Sequence, residues 1–176
     1  RVGVHLIVGL GETEEEMVRA IQQAHNMGAQ THLFSFFPEE KSPMEKHPQP
    51  QIGKYRRIQL ARYIINYCIA SAEEMKFDKE GGIRNYGIDE GGLNKVIDSG
   101  LPFMTSGCPG RTLKNACNRP FANSTPYQAY IGEMRNYPFP PNEGDVKIIR
   151  KQLYDYSNLS NSPKDTFHLV CEHVVE

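Results

Sequence analysis

The chain has 176 residues, 39% of them apolar and 23% charged, with a formal net charge of −1. That balance describes a globular chain with material for one core, and it removes the electrostatic case for nucleic acid or an anionic membrane surface as partner. No apolar run reaches bilayer length, so no membrane partner is expected and the expected compartment is the cytoplasm.

Taken in chain order, the first signal is the stretch from Gly3 to Thr13. Val4, Leu6, Ile7 and Val8 form an almost continuous apolar run, as in a parallel strand covered on both faces. Gly9 and Gly11 allow a sharp turn, and Thr13 with Glu16 reads as a capping box that starts a helix. Met17, Ala20, Ile21 and Ala24 recur at helical spacing behind three glutamates, and Gly28 ends that helix. A second strand is expected from Thr31 to Phe37. Strand, helix and strand in this order predict a right-handed parallel crossover, with ligands at the carboxyl ends of the strands. The Gly9-Leu10-Gly11 turn does not meet the dinucleotide fingerprint, because no third glycine follows and the helix starts on acidic residues.

The proline-rich loop from Pro38 to Gly53 is long enough to suggest a functional rim. A helix from about Lys54 to Ala72 follows, with Tyr55, Ile58, Ala61, Ile65 and Ile69 in one stripe. Lys54, Arg56 and Arg57 read as its solvated face, and Cys68 as a core cysteine. Met75 to Lys79 is a short strand candidate, Arg84 to Tyr86 a polar connection, and Asp89 to Gly100 a capped and closed short helix. Beyond an irregular region, Asn142 caps a helix carrying Val146, Ile149 and Leu153, and Phe167 to Val175 is a last strand candidate. There is no solenoid repeat, Walker loop or nucleophile elbow.

Cys108 and Cys117 stand in glycine- and proline-rich surroundings, Thr105-Ser-Gly-Cys-Pro-Gly110 and Ala116-Cys-Asn-Arg-Pro-Phe121. Such loops expose amides and can hold thiolates in the geometry that zinc or iron-sulfur sites need. Two cysteines supply only part of either ligand set, and two unrelated cysteines in an ordered loop remain an open alternative.

Two blocks carry a resemblance. Ile7-Val-Gly-Leu-Gly-Glu-Thr13 is similar to the fifth-strand motif of radical S-adenosylmethionine (radical SAM) enzymes, Gly-x-Ile-x-Gly-x-x-Glu, with Ile7, Gly9 and Glu12 on fixed positions and His5 where the family has glycine. The cysteine segment together with Arg135-Asn-Tyr-Pro-Phe-Pro-Pro141 resembles the C-terminal region of the biotin synthase and lipoyl synthase branch, including split lipoyl synthases. The resemblance implies an α/β fold: residues 1–74 as the last strands and helices of an incomplete (β/α) barrel, 75–156 as an irregular cysteine-bearing extension, and 157–176 as a tail.

It implies further that Gly9, Leu10, Gly11 and Glu12 shape the adenosyl pocket, with the glutamate fixing the turn. Cys108 and Cys117 would ligate an auxiliary 4Fe-4S cluster, with Asn118 and Arg119 beside it. The expected cofactors are S-adenosylmethionine and 4Fe-4S clusters. The expected partners are a small-molecule or lipoyl-domain-type protein substrate and an electron donor such as ferredoxin or flavodoxin. The Cys-x-x-x-Cys-x-x-Cys loop of the family is absent from these residues, so the chain reads as the C-terminal piece of an enzyme, inactive alone. The expected reaction is radical chemistry, with sulfur insertion at an unactivated carbon. Two other classes stay open: a non-catalytic zinc or iron-sulfur module, and an iron-free α/β barrel enzyme.

Overall fold

The structure, a computed structural model, describes residues 2–106 and 124–156. Strand β1 (Val2–Val8) leads through the glycine turn into helix α1 (Glu14–Asn26), and strand β2 (Ala29–Ser35) returns parallel to β1 in a register that pairs Val2 with Ala29 and Val8 with Ser35. The capping box is present as read: the Thr13 side chain accepts from the Glu16 amide at 3.1 Å, and the Glu16 carboxylate accepts from the Thr13 amide at 2.7 Å.

The expectation of a strand covered on both faces is corrected. Thr31, Leu33 and Ser35 face the helices and are buried, with Val8 beside them. On the opposite face Ile7 is 47% exposed and Phe34 38% exposed. With only β2 bonded to it among the described residues, β1 behaves as an edge strand with one dry side.

The second helix, α2 (Ile52–Asn66), is at the centre of the described residues. It packs on α1, on β2, on the 3-10 turn Leu101–Phe103 and on the C-terminal helix α5 (Glu143–Leu153). Tyr55, Ile58, Leu60, Ala61 and Ile64 are completely buried.

Its basic residues are also inside, against the expected solvated face: Arg56 is 0% and Arg57 3% exposed. Arg56 donates to Gln152 Oε1 and Gln59 Oε1, both at 2.9 Å, to Arg135 O at 2.7 Å, and to Met134 O. Burial pushes its guanidinium down to about 10, which leaves it charged at neutral pH. Arg57 forms a buried ion pair with Glu14 at 2.7 Å and donates to Leu153 O at 3.1 Å and Asp155 O at 2.8 Å. It thereby satisfies carbonyls at the end of α5, where the helix dipole favours a cation.

The helix also stops earlier than expected. Ile69 N donates to Ile64 O at 2.9 Å and Cys68 N to Ile65 O at 3.0 Å, the two bonds of a Schellman close. Cys68 takes the left-handed position at φ 55°, usually held by glycine. Cys68 is consequently exposed, not a core cysteine, with its Sγ 3.6 Å from His25 Nε2. Tyr67 and Ile69 are exposed with it.

Beyond α2 the short strands β3 (Lys76–Phe77) and β4 (Ile83–Asn85) pair antiparallel. Arg84 holds Asp78 at 2.7 Å, so the polar connection is a tight hairpin. Helix α3 (Glu90–Asp98) is capped by Asp89, and helix α4 (Pro126–Tyr130) by Thr125. Tyr156 lies between Arg57 and Arg84 and donates to Ile83 O at 2.6 Å, joining the end of α5 to the hairpin. One hydrophobic cluster runs from Val8 through α2 to Leu153. The described residues form a mixed α/β arrangement with two two-stranded sheets and no closed barrel among them. The expected strand from Phe167 to Val175 lies outside the described residues.

Candidate functional site

The carboxyl ends of β1 and β2 lie side by side, and the Phe36 amide donates to Val8 O at 2.8 Å just past them. Here the chain turns through Gly9 at φ 105° and Gly11 at φ 116°. The Glu12 carboxylate folds back on this turn, accepting from the Gly9 and Leu10 amides at 2.8 Å each. Lys54, at the start of α2, lies 3.2 Å from Glu12 Oε1 and donates to the Glu12 carbonyl. Burial would raise the Glu12 carboxyl, but the Gly9 amide, the Lys54 charge and the Leu10 amide outweigh it, and the group is held below its ordinary range.

The loop before α2 closes the turn from the other side. His47 Nε2 lies 2.7 Å from Gly9 O, and the Pro50 ring sits where a Cβ on Gly9 would be, 2.5 Å from Cδ. His47 also meets the Phe36 ring edge-on at 5.1 Å. His47, Pro50 and Lys54 were not singled out for this turn by the sequence reading. They are 38 to 42 residues away from it, and only the prolines and the length of the loop hinted at them. Outward, the turn is free: Leu10 is 48% exposed and nothing lies within 4 Å of a Cβ built on Gly11.

Below the turn, the open strand face carries His5 and Ile7 from β1 beside His32 and Phe34 from β2. His5 is exposed, and its ring stacks on Phe34 at 5.2 Å and meets His32 edge-on at 5.3 Å. His32 is only 6% exposed, and the Ser106 backbone acts on it in the sense that favours the proton. Burial, then His5 and Arg62, hold its basicity below the ordinary imidazole range.

Cys108, Cys117, Asn118 and Arg119 lie outside the described residues, as do His168, Cys171 and His173. Described residues on either side of the cysteine segment attach to one stretch of chain. Thr105 N donates to Tyr137 O at 2.8 Å, while Ser124 Oγ donates to Glu133 O at 3.3 Å and accepts from Arg135 N at 2.8 Å. Among the described residues no group of three or more metal-ligating side chains comes together. Tyr137 is buried, whereas Tyr127 and Tyr130 are exposed. No helix among them is long and apolar enough to cross a membrane.

No family model, curated protein or solved structure matches the chain. The site's chemistry therefore rests on its geometry. With the Gly9 and Leu10 amides spent on a carboxylate of the chain itself, the turn cannot cradle a phosphate as a glycine-rich nucleotide loop does. What it presents outward is an apolar side chain and an open, uncrowded backbone.

Proposed function

We propose that this chain is the C-terminal part of a radical SAM enzyme whose adenosyl pocket includes the turn from Gly9 to Glu12. The observation that carries the reading is the turn closed by its own glutamate at the carboxyl end of a parallel β-α-β unit. That is the role the family motif gives this residue, and the place where such units bind ligands. The turn fits an adenosyl group better than a nucleotide: its amides and charge are internally neutralised, and Leu10 and Gly11 leave a surface on which a flat, uncharged ring can pack.

In this reading Leu10 and Gly11 orient the adenosyl moiety, Glu12 and Lys54 keep the turn rigid, and His47 and Pro50 seal its far side from water. The strand face of His5, Ile7, His32 and Phe34 becomes the wall of the reaction chamber. S-adenosylmethionine, bound to a reduced cluster, supplies the deoxyadenosyl radical that abstracts hydrogen from an unactivated carbon; the protein supplies position and a dry surrounding. Cys108 and Cys117 are assigned to a second 4Fe-4S cluster, and sulfur insertion of the lipoyl-synthase kind is the preferred reaction. The substrate is then a small molecule or a lipoyl-domain-type protein, with a ferredoxin or flavodoxin as electron donor and the cytoplasm as the setting.

Anaerobic reconstitution of the full-length protein tests this. Reduction in the presence of S-adenosylmethionine should yield deoxyadenosine, and Cys108→Ser with Cys117→Ser should lower the iron content by about four per chain, one cubane's worth. A reconstituted protein that holds no iron and releases no deoxyadenosine rejects the reading in favour of an iron-free α/β enzyme. Zinc in place of iron, lost with the same two substitutions, rejects it in favour of a structural metal module.

A further inference from the structure

Two side chains that the glycine turn does not use meet at the opposite end of the strand pair, beside the start of β2. His25 lies in the last turn of α1 and Cys68 follows the end of α2, with Nε2 and Sγ 3.6 Å apart. They are 43 residues apart in sequence, so the packing of α1 against α2 is what brings them together. Both reach solvent: Cys68 is an exposed free thiol and His25 is half-buried. They share an open cavity of about 450 Å³ with Gln30 and Asn66.

The separation matches one edge of a tetrahedral metal centre. Zinc binds thiolate sulfur at about 2.3 Å and imidazole nitrogen at about 2.0–2.1 Å. At the tetrahedral angle those bonds set sulfur and nitrogen about 3.5–3.6 Å apart. An ion can therefore bind both atoms with little movement of either side chain. The surroundings favour a cation as well, because the carboxyl ends of α1 and α2 both present partial negative charge here. As the zinc–sulfur bond forms, the thiol gives its proton to solvent, and the imidazole binds in its neutral form.

Two ligands are half of what zinc requires, and among the described residues no third metal-ligating side chain joins them. The surface around the pair indicates what supplies the rest. Met27 is 73%, Tyr67 60% and Ile69 42% exposed, and each lies within two residues of a ligand. Large apolar side chains around an unfinished metal site are matched by the same patch on another copy, since a two-fold interface sets one surface against itself. We propose that His25 and Cys68 form half of a zinc site, which the same two residues of a second copy of the chain complete. The metal then lies on the two-fold axis, held by two thiolates and two imidazoles, and the apolar side chains of both copies are covered. This site needs neither iron nor S-adenosylmethionine and is independent of the roles given to Cys108 and Cys117.

The test uses the full chain, stripped with EDTA and returned to metal-free reducing buffer. Light scattering after size exclusion reads the mass, and the same samples are assayed for zinc. Adding zinc chloride should double the mass, and EDTA should restore the monomer. Cys68→Gly removes one ligand and leaves a residue suited to the left-handed position, while His25→Gln removes the other. Each variant should stay monomeric in zinc and bind about one ion fewer per two chains than wild type, whatever metal is held elsewhere. With cobalt chloride in place of zinc, the sulfur-to-cobalt absorption should fall in Cys68→Gly.

A mass that does not respond to zinc overturns the proposal, as does a dimer that persists in EDTA or in either variant. Zinc that is lost with both substitutions while wild type stays monomeric overturns it too, because the pair then takes its remaining ligands from water. A zinc-dependent dimer kept in Cys68→Gly but lost in Cys108→Ser with Cys117→Ser overturns it by assigning the metal to that segment.

Discussion

Gly9 and Gly11 share a left-handed backbone but not the same surroundings. A methyl on Gly9 would meet Pro50 Cδ at 2.5 Å, whereas one on Gly11 would meet nothing within 4 Å. Gly11→Ala should therefore cost the backbone strain alone, about 1–3 kcal/mol. Gly9→Ala should cost that plus an overpacking penalty of a further ~1–3 kcal/mol. Urea unfolding midpoints of the two variants measure the difference; equal losses would show that Pro50 yields freely.

Glu12 gives the turn a dependence on acid. Its native carboxyl lies below the ordinary 4.5, so as pH falls the unfolded chain takes up the proton first. The stabilisation is complete above about 4.5 and is lost as pH falls through the lower native value. The stability gap between wild type and Glu12→Gln should hold from neutral pH down to that point and close below it, as read by unfolding at a series of pH values. A gap that widened in acid would mean that the carboxylate is not what holds the turn.

At the scale of elements, the pair Glu14 and Arg57 joins α1, α2, α5 and the β3–β4 hairpin at a single point. Glu14 also accepts the Ile83 amide at 2.8 Å, and Arg57 serves two carbonyls at and just beyond the end of α5. Glu14→Ala leaves a guanidinium buried without its charge partner and should destabilise by about 3–5 kcal/mol. The double variant Glu14→Leu with Arg57→Met should recover part of that loss but not all, because the Ile83 amide and the α5 carbonyls stay unsatisfied. A double-mutant cycle in urea measures the coupling, and purely additive losses would show that the pair acts as two separate caps. These arginines were read as a solvated face because three cations near a helix start usually face water. Apart from Gln59, their acceptors lie 43 residues back, at Glu14, or 78 to 98 residues further along the chain, beyond the reach of any local pattern. Cys68 was misread for a related reason: an apolar stripe was continued past Asn66, while the chain closes the helix with a cysteine in the place of the usual glycine.

For the whole molecule, the central position of α2 predicts the order of local stability. Its interior amides from Arg57 to Ile64 should exchange with solvent only through global unfolding, while those of α4, which buries no residue, should exchange through local opening. Hydrogen exchange followed by mass spectrometry tests this, and protection of α2 no greater than that of α4 would contradict its central role.

The elements legible in the sequence were those whose partners lie within a few residues. The Thr13–Glu16 and Asn142 caps, the positive-φ glycines and the parallel strand pair follow from short-range sterics and apolar spacing. The closure of the turn by Glu12 was implied by resemblance alone, and its geometry is local too. Only the tertiary structure could decide that one strand face stays open, that α2 is a core helix with its charges inside, and that His47, Pro50 and Lys54 brace the turn. It also left Arg135 buried, with its Nε and Nη1 unpartnered among the described residues. Each of these depends on which distant group arrives to desolvate or neutralise a side chain, and that is a property of packing rather than of neighbouring sequence.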